Sequence, residues 1–246
     1  MVPKETGVNF IADVARWFVD QDHWHGASGF PHRMWEHVEL CALAVVCACV
    51  LAIPAGILLG HVRRGGVVAV GIVNIGRALP SFGIIAIALP ISIRLGLGLG
   101  FWPTFFAVFV LALPPIFTNS YTGISQVDPA VVDAARGMGL RGLDVLTRVE
   151  LPLALPVILA AVRVSAVQVV ATAPLGALVA WGGLGRFIVD GFAQLDQVQA
   201  AAGAVLVALL AIATEIAFAA AERLLLPRGV RRLALAEAAS MVGRAA

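Results

Sequence analysis

Charge is scarce in this chain of 246 residues: Asp, Glu, Lys and Arg make up 13% of it, against roughly a quarter in a soluble domain. Acidic and basic residues nearly cancel at a formal net charge of +2, and the basic ones fall singly or in pairs between apolar runs. No cationic face can form, so nucleic acid is not an expected partner. Cysteine is scarce too. Cys41, Cys47 and Cys49 share one apolar run, where a thiol behaves as a small hydrophobe and neither a disulfide framework nor a zinc pattern is expected. No G-x-x-x-x-G-K-S/T phosphate loop occurs, so the chain does not bind ATP by that device. Asp13 and Arg16 interrupt the short apolar stretch after Lys4 and Glu5, unlike a signal peptide, and the segment is expected to be retained. Paired intramembrane carboxylates and a metal-spaced His/Glu set are also missing, which argues against an enzyme embedded in the membrane. Glu215 reads as an acid standing alone in the last apolar run.

What the chain has in their place is apolar length. Hydrophobic residues account for 60% of it and the mean hydropathy is +0.94, the composition of a membrane protein. A helix needs about 20 mainly apolar residues to cross the hydrocarbon core, and five stretches qualify: 40–60, 67–93, 101–118, 153–180 and 200–221. The second contains Arg77, Pro80 and Pro90 and reads as one tilted, kinked helix in preference to two short segments. Five spans place the termini on opposite sides. Arg63, Arg64, Arg136, Arg141, Arg148 and the tail arginines Arg223, Arg228, Arg231, Arg232 and Arg244 share one side; Lys4, Arg16, Arg33, Arg94 and Arg186 share the other. The richer side is expected to be cytoplasmic. Three regions follow: an external N-terminal segment, 1–39; a transmembrane region, 40–222, with a cytoplasmic loop over 121–152; and a cytoplasmic tail, 223–246.

Residues 8–19 place Phe10, Ile11, Val14, Trp17 and Phe18 on one helical face and Asn9, Asp13 and Arg16 on the other. Such a helix either lies in the membrane interface or docks on the bundle, and both uses fit equally. His23, His25, His32 and His37, with Asp22, match no compact zinc spacing, so interfacial or structural roles are expected and no metal site. The tryptophans lie near expected interfaces, as aromatic belts do.

The loop between the third and fourth spans is the most informative segment. Asp128 is placed to cap a helix and Pro129 to occupy its first turn, where a missing N–H costs nothing. The short helix presents Val131, Val132, Ala134 and Ala135 with Asp133 and Arg136, then meets Gly137 and Gly139, which permit the left-handed conformation that ends helices. A second helical stretch, 143–150, leads to Pro152 and the fourth span. A short helix carrying small apolar side chains into the cytoplasm suits a partner surface.

Asp133-Ala134-Ala135, then Gly139, then Val149-Glu150-Leu151-Pro152 at this spacing resembles the EAA loop of ABC-importer permeases. Asp133 stands where Glu is usual and Val149 where Ile is usual, both conservative. The resemblance implies an all-α transmembrane chain with the type I ABC importer (MetI-like) permease fold: five core membrane helices plus the N-terminal interfacial helix. It implies that Asp133, Ala134, Ala135, Gly139, Leu151 and Pro152 couple the chain to a cytoplasmic ABC ATPase, which carries ATP and Mg, so this chain binds no cofactor itself. An extracytoplasmic solute-binding protein and a second permease copy or a similar permease are the other implied partners, in the bacterial inner membrane.

Arg77-Ala78-Leu79-Pro80-Ser81, Val162-Arg163-Val164-Ser165-Ala166 and Gly182-Gly183-Leu184-Gly185 further resemble the subgroup that imports osmoprotectants such as glycine betaine, choline, carnitine and proline. The whole resemblance runs over residues 36–222. It implies uptake of a quaternary amine by alternating access; the same architecture carrying another small solute, such as an amino acid, or an ion-coupled secondary transporter, are the alternatives. Five spans without an inverted repeat fit the last poorly. Polar residues inside spans are costly in lipid and so mark pathway or gate candidates: Asn74, Arg77, Pro80, Ser81, Arg163 and Gln168. The two arginines can equally snorkel to the cytoplasmic interface. Gly182, Gly183, Leu184 and Gly185 open the external loop 181–197, which is expected either to meet the binding protein or gate, or simply to join two spans.

Overall fold

A computed structural model describes residues 7–63 and 65–225, and every regular element among them is helical. In chain order these are α1 (Gly7–Val19), α2 (Phe30–Val62), α3 (Gly66–Ala78), α4 (Ser81–Arg94), α5 (Phe101–Ser125), α6 (Pro129–Gly137), α7 (Gly142–Val145), α8 (Leu151–Thr172), α9 (Gly185–Ala193) and α10 (Gln197–Leu225). One turn of π-helix, Leu146–Glu150, joins α7 to α8, and a 3-10 segment, Ala173–Val179, extends α8. Four helical segments, including α2, α5 and α10, are long and apolar enough to cross a membrane, and the bent pair formed by α3 and α4 makes a fifth if it is one span. The tail beyond Leu225, with its arginines, lies outside the described residues, as do Lys4 and Arg64.

Two expectations from the sequence are corrected. The helix that carries the first span begins well before residue 40. α2 starts at Phe30, so the 39/40 boundary falls inside a helix of 33 residues. Its early turns are polar but paired: Arg33 and His32 both reach Glu36 at helical spacing, the kind of contact that supports a helix without apolar residues. The second segment, 67–93, is not one kinked helix, because α3 and α4 are separated by Leu79 and Pro80. Pro80 is extended, at φ −64° and ψ 135°; it has no N–H to continue α3 and disfavours helical backbone at the residue before it. Pro54, Pro90, Pro114, Pro115 and Pro156 all sit within helices.

The chain forms two compact units. The first is drawn from the described residues from Gly7 to Cys47, Arg77–Ala112 and Ala166–Thr214. Its principal cluster gathers Trp17, Leu184, Phe187, Ala202, Leu206 and Val207. Trp17 therefore docks α1 on α9 and α10, while Ile11 on the same helix is exposed. The second unit is drawn from Ala48–Gly76, Leu113–Ser165 and the described residues from Glu215 to Leu225. There α2 meets α5 through Gly56 and Gly60, one helical turn apart. A Cβ at Gly56 would lie 2.8 Å from the Phe117 carbonyl oxygen, and one at Gly60 2.8 Å from that of Tyr121. Small residues at this spacing let membrane helices approach backbone to backbone. Ile124, Leu146, Ala154 and Ile158 pack beside this contact with Ile53 and Ile57.

Candidate coupling site

α6 begins where its capping residues place it. The Asp128 carboxylate accepts the Ala130 N–H at 2.8 Å and Pro129 fills the first turn, satisfying one of the donors a helix start leaves open. One face of α6 is closed: Val132 and Ala135 are buried with Val127 and Val145, and Leu140 and Val149 pack against them. The opposite face is open, with Val131, Asp133 and Ala134 exposed and Met138 79% exposed at its end. The expectation that Val132 and Ala135 are displayed with Val131 and Ala134 is thus corrected. Three- and four-residue spacing turns the first pair inward, so Ala135 holds the loop together. Met138 and Leu143, both exposed, went unnoticed in the sequence, although a large apolar residue between two glycines is a visible signal. The chain turns at Gly139, whose φ is +91°. Nothing lies within 4 Å of where its Cβ would stand, so glycine is required there by backbone conformation alone.

Both stems of the loop contact the end of α2. Glu150, in the π-turn, is almost fully buried, and its Oε2 lies 2.5 Å from Nδ1 of His61. Arg63 donates from Nη2 to the carbonyl of Val127 at 3.1 Å. Leu151 and Pro152, half-buried, then open α8.

The polar candidates inside the spans divide between the two units: Asn74 and Arg163 belong to the second, and Arg77, Pro80, Ser81 and Gln168 to the first. Asn74 lies on α3 with its Oδ1 buried and unpartnered among the described residues. Arg77 is in the last turn of α3, Pro80 forms the break and Ser81 starts α4. Gln168 is exposed on α8. Arg163 is paired: its Nη1 lies 3.4 Å from Glu215 and 3.6 Å from Glu222, both on α10. Glu215 is therefore not alone, a correction that periodicity could not supply because the partner lies on another helix. An open groove of about 350 Å³ between α5 and α8, lined by Pro115, Asn119, Pro156, Val157, Ala160 and Val164, was also missed. Its lining is almost wholly apolar in sequence.

The glycine-rich loop after α8 is fastened to the start of α2. Gly183 donates its N–H to Glu36 at 2.8 Å, and Leu184 donates to Nδ1 of the fully buried His37 at 3.3 Å. His37 Nε2 faces the Val170 carbonyl at 3.1 Å, so the proton sits on Nε2 and Nδ1 accepts. This is a structural use of a histidine. Gly183, Leu184 and Gly185 are buried and Gly182 half-buried, while Phe192 and Leu195 at the far end of α9 are exposed.

This arrangement of broken α3–α4, capped loop helix and long α8 and α10 has matches among known proteins. The family described as the binding-protein-dependent transport system inner membrane component matches residues 52–229. The chain belongs to this family. It is a permease subunit, a multi-pass component of the bacterial inner membrane and a transport protein rather than an enzyme. The permease is 36% identical over 202 residues to the choline transport system permease protein OpuBB of Bacillus subtilis, covering 82% of this chain and 91% of that one. It is 34% identical over 200 residues to the glycine betaine/carnitine/choline transport system permease protein OpuCB of the same organism, covering 81% and 90%. A chain of the MetNI methionine ABC transporter in an inward-facing conformation superposes with a TM-score of 0.68 at 24% identity, over 77% of this chain and 92% of that one. The permease thus has the MetI-like fold.

Proposed function

We propose that this permease carries a quaternary-ammonium osmoprotectant of the glycine betaine, choline and carnitine class into the cytoplasm by alternating access. A separate ABC ATPase, which holds ATP and Mg, drives it, and an extracytoplasmic binding protein delivers the solute. The observation that carries the coupling role is α6 itself: capped by Asp128, closed on one face by Val132 and Ala135, and open on the other at Val131, Asp133, Ala134 and Met138. A rigid, short helix with an exposed apolar ridge suits a cleft on a partner. In this reading α6 docks on the ATPase, Asp133 and Gly139 set its charge and exit, and closure of two ATPases moves two permeases, identical or similar. The N-terminus and the loop 181–197 lie outside, and Phe192 and Leu195 give that loop its exposed apolar side for the binding protein. The substrate class is supported by the relatives whose names carry choline, carnitine and glycine betaine.

The test is uptake by the complete complex in proteoliposomes, supplied with labelled choline, glycine betaine, carnitine and proline, with methionine and a sugar as controls. ATP-dependent uptake of the quaternary amines is expected. Uptake confined to an amino acid overturns the substrate, and uptake driven by an ion gradient without the ATPase overturns the importer mechanism.

A further inference from the structure

The last turn of α2 and the residue that follows it hold the loop that carries α6 at both of its ends. His61 meets Glu150 where the loop leaves for α8, and Arg63 meets the Val127 carbonyl one residue before the Asp128 cap. All of these residues belong to the second compact unit. Two independent features mark the contacts as more than incidental.

The first is the backbone of Arg63. Its φ is +54° and its N–H closes on the Leu59 carbonyl at 3.1 Å, the left-handed turn that ends many helices and favours glycine. Glycine stands two residues further on, at Gly65 and Gly66, yet this position keeps an arginine. Strain tolerated at one position points to what its side chain does, and here the side chain reaches the loop. The second is Glu150. A carboxylate 1% exposed is costly to bury without a partner, and it sits in a π-turn, an irregularity that often accompanies function. His61, on the neighbouring helix, is that partner.

We infer that His61 and Arg63 are positioning residues for energy coupling: they clamp the two stems of the α6 loop to α2, so that displacement of α6 moves α2 directly. The backbone of the loop runs only into α5 and α8. The clamp adds a third helix to the moving body and fixes the angle at which α6 is presented. This inference rests on the coupling role proposed for α6.

The experiment compares Arg63→Gly, His61→Ala and His61→Gln with the parent in the complete complex in proteoliposomes, reading solute imported per ATP hydrolysed alongside the melting temperature. Arg63→Gly relieves backbone strain while deleting the side chain. It is expected to melt at or above the parent with the ATPase still copurifying, yet to import about fivefold less solute per ATP, within the usual range of coupling effects. His61→Ala is expected to lose a similar factor, and His61→Gln, whose amide can still donate to Glu150, to recover most of it. An unchanged import ratio in Arg63→Gly and His61→Ala overturns the inference, as does a ratio that falls only in step with the melting temperature. If His61→Ala fails to assemble, Arg63→Gly decides alone. Asp133→Lys and Gly139→Val, run in parallel, separate the two readings: if α6 is not the coupling element they too stay coupled, whereas if only the clamp is wrong they uncouple and the α2 variants do not.

Discussion

Nη1 of Arg163, on α8, lies 3.4 Å from Oε1 of Glu215, on α10, and the same guanidinium reaches Glu222 seven residues further along α10. One cation thus serves two carboxylates on one face of a membrane helix, and Arg163 ties α10 to α8 within the second unit. Replacing Arg163 by Gln leaves both acids uncompensated. Breaking such a group by removing one member is expected to destabilise the permease by about 1–3 kcal/mol. Replacing all three by neutral residues is expected to recover most of that loss. Thermal unfolding of the detergent-solubilised complex measures both.

Gly139 turns the chain with open space around it. Its replacement is therefore expected to follow backbone preference and not size. Gly139→Val is expected to cost about 1–2 kcal/mol locally and abolish uptake, whereas Gly139→Asn, better suited to the left-handed region, retains part of it. Equal loss in both variants would show that bulk matters there after all.

Asp128→Ala removes the carboxylate that accepts the Ala130 N–H. The expected loss of about 1 kcal/mol at the helix start frays α6, lowers uptake and increases proteolysis within the loop. Asp128→Asn or Asp128→Ser is expected to restore both readings, since either side chain still caps.

His37→Ala deprives Leu184 N–H and the Val170 carbonyl of their partner in a fully buried position. A loss of about 1–3 kcal/mol in stability is expected for the unpaired groups. Added zinc is expected to change neither the parent nor the variant, because the role is a backbone bridge.

Local signals made much of this permease legible in its sequence. The cap at Asp128, the proline at the first turn of α6 and the glycine exit at Gly139 are all short-range signals, and each stands where the residue types place it. The apolar runs found the long helices, although the polar, paired turns of 30–39 hid the start of α2. Pro80 signalled a break outright, while five prolines inside helices show why such a signal is ambiguous. The pairings were not legible. His61 and Glu150 are 89 residues apart, and Arg163 finds its carboxylates on a different helix, so no spacing rule connects them. Which face of α6 is closed depended on Val127 and Val145, which pack from outside the helix.

The most direct measurement of the central claim places a cysteine at Met138, the exposed end of α6, and another at Arg94, exposed at the end of α4, and treats the complete complex with a short thiol cross-linker. A Met138→Cys adduct with the ATPase, and none from Arg94→Cys, is expected if α6 couples the permease to ATP hydrolysis from the cytoplasmic side. An ATPase adduct from Arg94→Cys and none from Met138→Cys would contradict both the coupling role and the orientation.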